Sequence, residues 1–326
     1  MTETLLEIDN LSVDYKTECG DLKALRDITF DVCKGEIVGI VGESGCGKST
    51  LISSILRLTA PNTRFSQGEV RFKGRNFLEL SERAMRNHRG DDISIVFQDP
   101  IQAHNPVLSV GQQMVDIQHR SNASKAEKRA SAGRMLGEVG IPDPEARLDQ
   151  FPHEFSGGMR QRIAIAMALM SEPDLLIADE PTTALDATLE VQIIQKLREL
   201  QRKMNCAVLF ISHHLGVIAE LCDRVVVMYA GAVVESGDVR EIFHNPKHPY
   251  TRRLIECDPG HIKVRARVLP TIPGEVPDLA NLPEGCIFRD RCNQAMEQCA
   301  IWVPPLNKVG DGHMAACWLN HQELVV

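Results

Sequence analysis

Glu36-Ile37-Val38-Gly39-Ile40-Val41-Gly42-Glu43-Ser44-Gly45-Cys46-Gly47-Lys48-Ser49 is the stretch that decides the fold. Glu36 to Val41 reads as a short apolar strand, and the glycine-rich segment follows it directly. Residues Lys48 to Leu58 then carry helical spacing, so the glycines sit between a strand and a helix. Gly42, Gly45 and Gly47 let the backbone approach phosphate oxygens, and N–H groups at a helix start attract negative charge. Lys48 can reach the β- and γ-phosphates, and the Ser49 hydroxyl suits Mg²⁺. A glycine turn that merely joins strand to helix is the bland alternative, and the complete motif in its required setting argues against it. Alone, the stretch implies a bound nucleoside triphosphate and nothing narrower.

A second stretch is rarer. Phe155-Ser156-Gly157-Gly158-Met159-Arg160-Gln161-Arg162 opens an apolar-periodic helix and stands shortly before the strand Leu175–Ala178. Ser156 by itself would be a helix cap, worth about 1 kcal/mol. Two adjacent glycines would then be a pure cost, up to roughly 1 kcal/mol each relative to alanine. Accepting that cost favours close approach of a ligand to Ser156, Gly157 and Gly158, a phosphate surface with no evident use inside one chain.

Further residues carry chemistry by position. Asp179 ends the strand and Glu180 follows it: a strand-end carboxylate can hold Mg²⁺, and the next one can take a proton from water. Solvated strand-end acids are the alternative for that pair. Gln98 leaves the strand Ile93–Phe97 ahead of Asp99-Pro100, where its amide can sense the metal or the water. His213 follows the strand Ala207–Ile211 and can contact a γ-phosphate, although a histidine in such a place is commonly structural. Tyr15, near the end of an early strand, can stack on a base.

Working outward, residues 5 to 40 alternate apolar and polar as antiparallel strands do, with another strand at Gly68–Phe72. Residues 107 to 150 turn helical and charged, an inserted helical subdomain with a solvated run from Lys125 to Arg129. Helix 188–203 and the strand Arg224–Tyr229 complete an alternation of strand and helix that implies a largely parallel α/β core. After about 245 proline becomes dense, helical periodicity fades, and four cysteines arrive, marking a separate C-terminal module.

Composition sets outer limits. The 326 residues, 43% apolar and 25% charged, suit one large domain with an appendage or two domains. A formal charge of −8 argues against a general nucleic-acid binder. No apolar run reaches the roughly 18 residues of a membrane span and no secretory signal opens the chain, so the expectation is a cytosolic protein that meets membranes through a partner. Of the ten cysteines, Cys19, Cys33, Cys46, Cys206, Cys222 and Cys257 are scattered and read as small apolar fillers. Cys46 also places a thiol that oxidants could reach beside the phosphates.

Taken together, these positions resemble the nucleotide-binding domain of ABC ATPases over about residues 5–245. By that resemblance Tyr15 is the adenine-stacking aromatic, and Gly42, Glu43, Ser44, Gly45, Cys46, Gly47, Lys48 and Ser49, with Thr50, form the Walker A loop. Gln98 is the Q-loop residue, Ser156–Gly158 the signature, and Asp179 and Glu180 the Walker B pair. Ala184-Leu185-Asp186 is the D-loop and His213 the switch histidine. The resemblance implies a P-loop α/β fold: a mixed, largely parallel sheet core, an antiparallel β subdomain, and an inserted helical subdomain at about 107–170. It implies ATP hydrolysis with Mg²⁺ held by Ser49, Gln98 and Asp179, and with Glu180, His213, Lys48 and Gln98 as the catalytic set. Two departures stand out: Phe155 and Met159 replace the usual Leu and Gln of the signature, and His214 replaces the acid that commonly follows the switch histidine.

Phe97-Gln98-Asp99-Pro100 with Asn105-Pro106, Pro152-His153 ahead of the signature, and His248-Pro249-Tyr250-Thr251 narrow the resemblance to ATPase subunits of dipeptide and oligopeptide importers. The tail from Gly285 to Trp318 does the same. The implied partners are a second ATPase subunit (a paralogue, or a copy of this chain), two integral-membrane permeases and an external solute-binding protein. The implied location is the cytoplasmic face of a bacterial inner membrane. A soluble ABC ATPase acting on ribosomes or nucleic acid is the rival, and the absence of a second fused cassette or a coiled-coil insertion weighs against it. Residues 246–326 then form a small irregular module. Its Cys286, Cys292, Cys299 and Cys317 are separated by 5, 6 and 17 residues, not the paired spacing of a zinc ribbon. Four thiolates there suit a [4Fe–4S] cluster, with Zn²⁺ the alternative and His313 a candidate substitute ligand.

Overall fold

The computed structural model describes residues 3–18, 20–182, 187–258, 260 and 270–320, and divides into two compact units. The first unit contains residues 80–211, the second residues 6–32, 37–79 and everything from 212 onward.

In the second unit the alternating N-terminal segments become strands β1 (Thr4–Thr17) and β2 (Gly20–Cys33). With β4 (Thr63–Phe72) and β5 (Arg75–Asn76) they form a sheet in the order β2-β1-β4-β5, with β1 antiparallel to β4. Their inward faces bury Leu6, Ile8, Leu11, Leu25, Ile28 and Phe72. The apolar strand of the opening stretch is β3 (Ile37–Val41), buried throughout, and helix α1 (Lys48–Leu56) follows the glycines. The helix stops two residues short of the expected Leu58 because Arg57 adopts a left-handed conformation, φ 50°, and its N–H bonds back to Ser53 and Ser54.

Strand β3 pairs in parallel with β9 (Arg224–Tyr229), which turns back antiparallel into β10 (Ala232–Asp238). The proline-rich tail is more ordered than its composition predicts. Helices α9 (Leu215–Leu221) and α10 (Val239–His244) precede it, and it contains helix α11 (Pro249–Glu256), started by Pro249 and capped by His248, and two short strands, β11 (Asn307–Gly310) and β12 (His313–Ala315). Strand β12 pairs antiparallel with β10, Glu235 facing Ala315, so the strand order here is β11-β12-β10-β9-β3.

In the first unit β6 (Ile93–Val96), β7 (Leu175–Asp179) and β8 (Ala207–Ile211) are consecutive parallel neighbours. Buried on both faces, they read as continuous apolar runs, as parallel strands do. Short helices α2 (Glu82–His88) and α3 (Pro100–Ala103) flank β6, and the charged insertion is helical: α4 (Val110–Ile117), α5 (Lys125–Glu138) and the short α6 (Pro144–Arg147) precede the signature helix α7 (Gly157–Leu169). Ser124 and Glu127 form a reciprocal capping box at the start of α5. Helix α8 (Ala187–Met204) lies between β7 and β8 in sequence and buries Ile193, Ile194, Leu197 and Leu200 on one stripe.

Candidate nucleotide site

The glycine loop is built by two backbone constraints. Gly42 has φ 154°, and a Cβ there would lie 2.2 Å from the Met228 carbonyl oxygen; Gly47 has φ 104° at the mouth of α1, where a Cβ would meet Leu25 at 2.7 Å. Neither position accepts a side chain, so the loop passes close over β9. Lys48 folds back onto its own loop, its Nζ donating to the carbonyls of Gly42 (2.7 Å) and Glu43 (3.2 Å). Ser44, Gly45 and Ser49 are exposed, and Tyr15 on β1 donates its hydroxyl to Thr50 Oγ1 at 3.2 Å. All of these belong to the second unit.

Cys46 differs from expectation. It is only 1% exposed, with Lys48 Nζ 3.6 Å from its sulfur, and burial pushes its thiol up despite that lysine. A protonated, enclosed thiol is a poor target for oxidants, so Cys46 belongs with the buried cysteines. Cys206 and Cys222 are buried as the composition suggested, Cys33 and Cys257 are half-buried, and Cys19 lies outside the described residues.

Gln98, Asp179, Glu180 and Ser156–Gly158 belong to the first unit. Strand β6 ends at Val96, one residue earlier than expected, which leaves Phe97 46% exposed and Gln98 on a loop. The Gln98 amide donates to Glu180 Oε2 at 3.0 Å, joining the two residues across the chain. Glu180 has left-handed backbone, φ 46°, held by its N–H donating to the Ile211 carbonyl at 3.0 Å. A non-glycine residue in that region stores about 1–3 kcal/mol, and here it re-aims the side chain at the strand end. Asp179 is the last residue of β7 and half-buried.

Ser156 caps α7, its Oγ accepting from Met159 N at 3.4 Å, so the bland reading of this serine is physically present. Gly157 is not explained that way. Its φ is not left-handed, and an added Cβ would meet nothing within 4 Å among the described residues. Among the described residues no packing requires a glycine there.

His213 belongs to the second unit, exposed and edge-on to His214 with ring centroids 4.3 Å apart. Asp186, with Ala184 and Leu185, lies outside the described residues. Sequence reasoning passed over His104. It is 5% exposed beyond the Gln98 loop, bonds through Nε2 to the Arg160 carbonyl at 3.1 Å, and ties that loop to the signature helix. Burial lowers its imidazole, and nothing local in the sequence marks it.

The four tail cysteines converge. Cys286, Cys292, Cys299 and Cys317 line one cavity with His248, Phe288 and Trp318, and none is in a disulfide. No three of their sulfurs lie within 4.8 Å of one another. Backbone N–H groups of Gln294 and Met296 point at Cys292 Sγ and Cys299 Sγ, at 3.4 and 3.5 Å. Such donors stabilise thiolates, which ligation requires. Without a metal, burial pushes Cys286 and Cys292 up and Cys317 to about 11. His313 is not a substitute ligand: its Nε2 is 2.7 Å from Glu235 Oε1, both side chains buried.

Comparison with known proteins agrees with this geometry. The ABC transporter family model matches residues 25–183, and the model of the oligopeptide/dipeptide transporter C-terminal region matches residues 234–299. A probable peptide ABC transporter ATP-binding protein of Sinorhizobium fredii is 48% identical over 98% of this chain and 96% of its own length. The oligopeptide transport ATP-binding protein OppD of Bacillus subtilis is 46% identical over 98% of this chain and 90% of its own. Among solved structures, an ATP-binding cassette captured as a dimer after hydrolysis, with ADP and Pi, matches at TM-score 0.65 and 28% identity, covering 72% of this chain and 99% of that one. The chain is therefore an ABC ATPase and belongs to the ATP-binding subunits of the dipeptide/oligopeptide ABC transporter family.

Proposed function

We propose that this chain is the motor subunit of a bacterial importer for dipeptides, oligopeptides or related small solutes, working in a pair with a second ATPase subunit beneath two membrane permeases. The observation that carries the reading is Gly157: a costly helix-start glycine, open on its outer side, that no described residue requires by packing. A phosphate of a nucleotide held by a facing subunit accounts for it. The peptide-transport names of the relatives support the solute class, and the family's permeases account for membrane attachment, since no described helix is long and apolar enough to span a bilayer. The partner ATPase is taken as a paralogue, a homodimer being the other arrangement. An external binding protein delivers the solute, and no nucleic acid is involved. Residues 1–245 serve as the cassette and 246–326 as its C-terminal module.

In this mechanism the Gly42–Ser49 amides and Lys48 receive the phosphates, Lys48 exchanging its two loop carbonyls for phosphate oxygens. Tyr15 stacks on the base. Ser49, Asp179 and Gln98 offer the hard oxygen donors that would hold Mg²⁺, which when bound neutralises charge on the β- and γ-phosphates. Glu180 takes the proton of the attacking water, with Gln98 fixing its carboxylate, and His213 donates to the γ-phosphate. Ser156–Gly158 act on the nucleotide of the facing subunit, and Asp186 borders the same interface. Solubilised membranes should yield this chain together with two integral-membrane proteins and a second ATPase. Recovery only with ribosomes or nucleic acid would select the soluble-ATPase reading instead.

The cysteine cavity is read as the site of a [4Fe–4S] cluster on Cys286, Cys292, Cys299 and Cys317, a reading supported by their shared cavity and by the N–H groups aimed at two of them. Bound there, a cluster would cross-link a tail with little regular structure of its own. Anaerobically purified protein is expected to be brown and to hold about four irons per chain. Colourless protein containing stoichiometric zinc would overturn the assignment.

A further inference from the structure

The phosphate loop is anchored by a residue of the tail. Glu43, inside the loop, receives both arms of the Arg291 guanidinium: Nη1 to Oε2 at 2.7 Å and Nη2 to Oε1 at 3.0 Å. The Arg291 side chain is only 5% exposed. Its other donors are also used, Nε on the Pro273 carbonyl (2.9 Å), Nη2 on the Ile272 carbonyl (3.2 Å) and Nη1 on the Tyr229 hydroxyl (3.3 Å). The Glu43 backbone N–H donates to the Tyr250 hydroxyl at 3.0 Å. Tyr229, Tyr250 and Phe288 pack together beneath, with centroids 4.7–5.4 Å apart. Glu43 is thus held by side chain and main chain, by residues 207 and 248 positions away.

A paired forked contact of this kind fixes orientation as well as distance, which a lysine cannot do. Glu43 sits one residue after Gly42 and three before Cys46, where the loop begins to curve. Its carbonyl is also one of the two that Lys48 occupies. Whatever holds Glu43 therefore sets the shape of the amide cradle and the resting place of the lysine.

We propose that Arg291 is a positioning residue for ATP binding: through Glu43 it holds the phosphate loop in the form that accepts nucleotide. The proposal rests on the assignment of Gly42–Ser49 as the ATP site. Full-length Arg291→Met and Glu43→Gln are to be compared with wild type by titration with a fluorescent ATP analogue and by steady-state hydrolysis. Each variant is expected to raise Kd and KM for ATP by about three- to thirtyfold, with kcat at saturating ATP within about twofold. The double variant should fall well short of the product of the two, and Arg291→Lys should recover only part of the loss. Glu43→Gln is decisive, because removing a carboxylate beside a polyanion should tighten binding if simple charge were at work. It also preserves shape should Arg291→Met fail to fold. A lowered melting temperature with Kd and KM within twofold of wild type would make the contact merely structural and overturn the proposal. Lys48→Ala serves as control: unchanged nucleotide affinity in that variant would overturn the loop assignment itself, and the proposal with it.

Discussion

Glu180→Gln is expected to cut ATP turnover by about 10²- to 10⁴-fold while leaving nucleotide binding intact. The substitution is nearly isosteric, and its side-chain oxygen can still accept from the Gln98 amide that now reaches Glu180 Oε2. The left-handed backbone at this position is held by the bond to the Ile211 carbonyl, which a side-chain change leaves in place. Only proton acceptance is removed. A blocked hydrolysis step should leave the ATP-bound pair closed, so size-exclusion chromatography with ATP and Mg²⁺ should show a stable dimer that wild type forms only transiently. Turnover within a few-fold of wild type would refute Glu180 as the base.

The largest stability effect is expected far from the nucleotide, at Glu235→Ala. Glu235 is fully buried on β10 and accepts from the backbone N–H of Lys247 at 2.6 Å, from that of His248 at 3.0 Å, and from His313 Nε2 at 2.7 Å. Burial would raise its carboxyl, but the hydrogen bonds it accepts, that from His313 foremost, together outweigh burial and hold it below the ordinary range. Removing the acid leaves three donors on two segments of the tail without their acceptor, a loss of about 3–5 kcal/mol. Urea unfolding should show it as a lower midpoint. The sign with pH follows from the lowered carboxyl: its stabilisation is complete above the unfolded value and disappears as pH falls through the folded one. The variant should therefore lose stability less steeply on acidification than wild type. Parallel acid profiles would mean that other groups dominate.

What was readable in the sequence was what local spacing determines. Gly42–Ser49, Ser156–Gly158 and Asp179-Glu180 declare themselves because their chemistry depends on neighbours a few residues away, and the strands feeding them are short apolar runs. The short elements within the tail are not legible for the opposite reason. Strands β11 and β12 have four and three residues and exist through pairing with β10, and α11 is short and hidden among prolines. Cys46 looked open because its motif lies beside phosphates, yet the turn of the loop tucks its side chain inward. Arg291 carried no signal at all, since its meaning depends on a carboxylate 248 positions earlier.

The seating of β12 on β10 limits how this sequence can be divided. A chain cut near residue 245 would keep every motif for ATP, yet it would uncover the hydrogen-bonding edge of β10 and leave Glu235 facing solvent or another molecule. The tail thus behaves as a keystone, laid last in the order of the chain and carrying load for strands placed well before it.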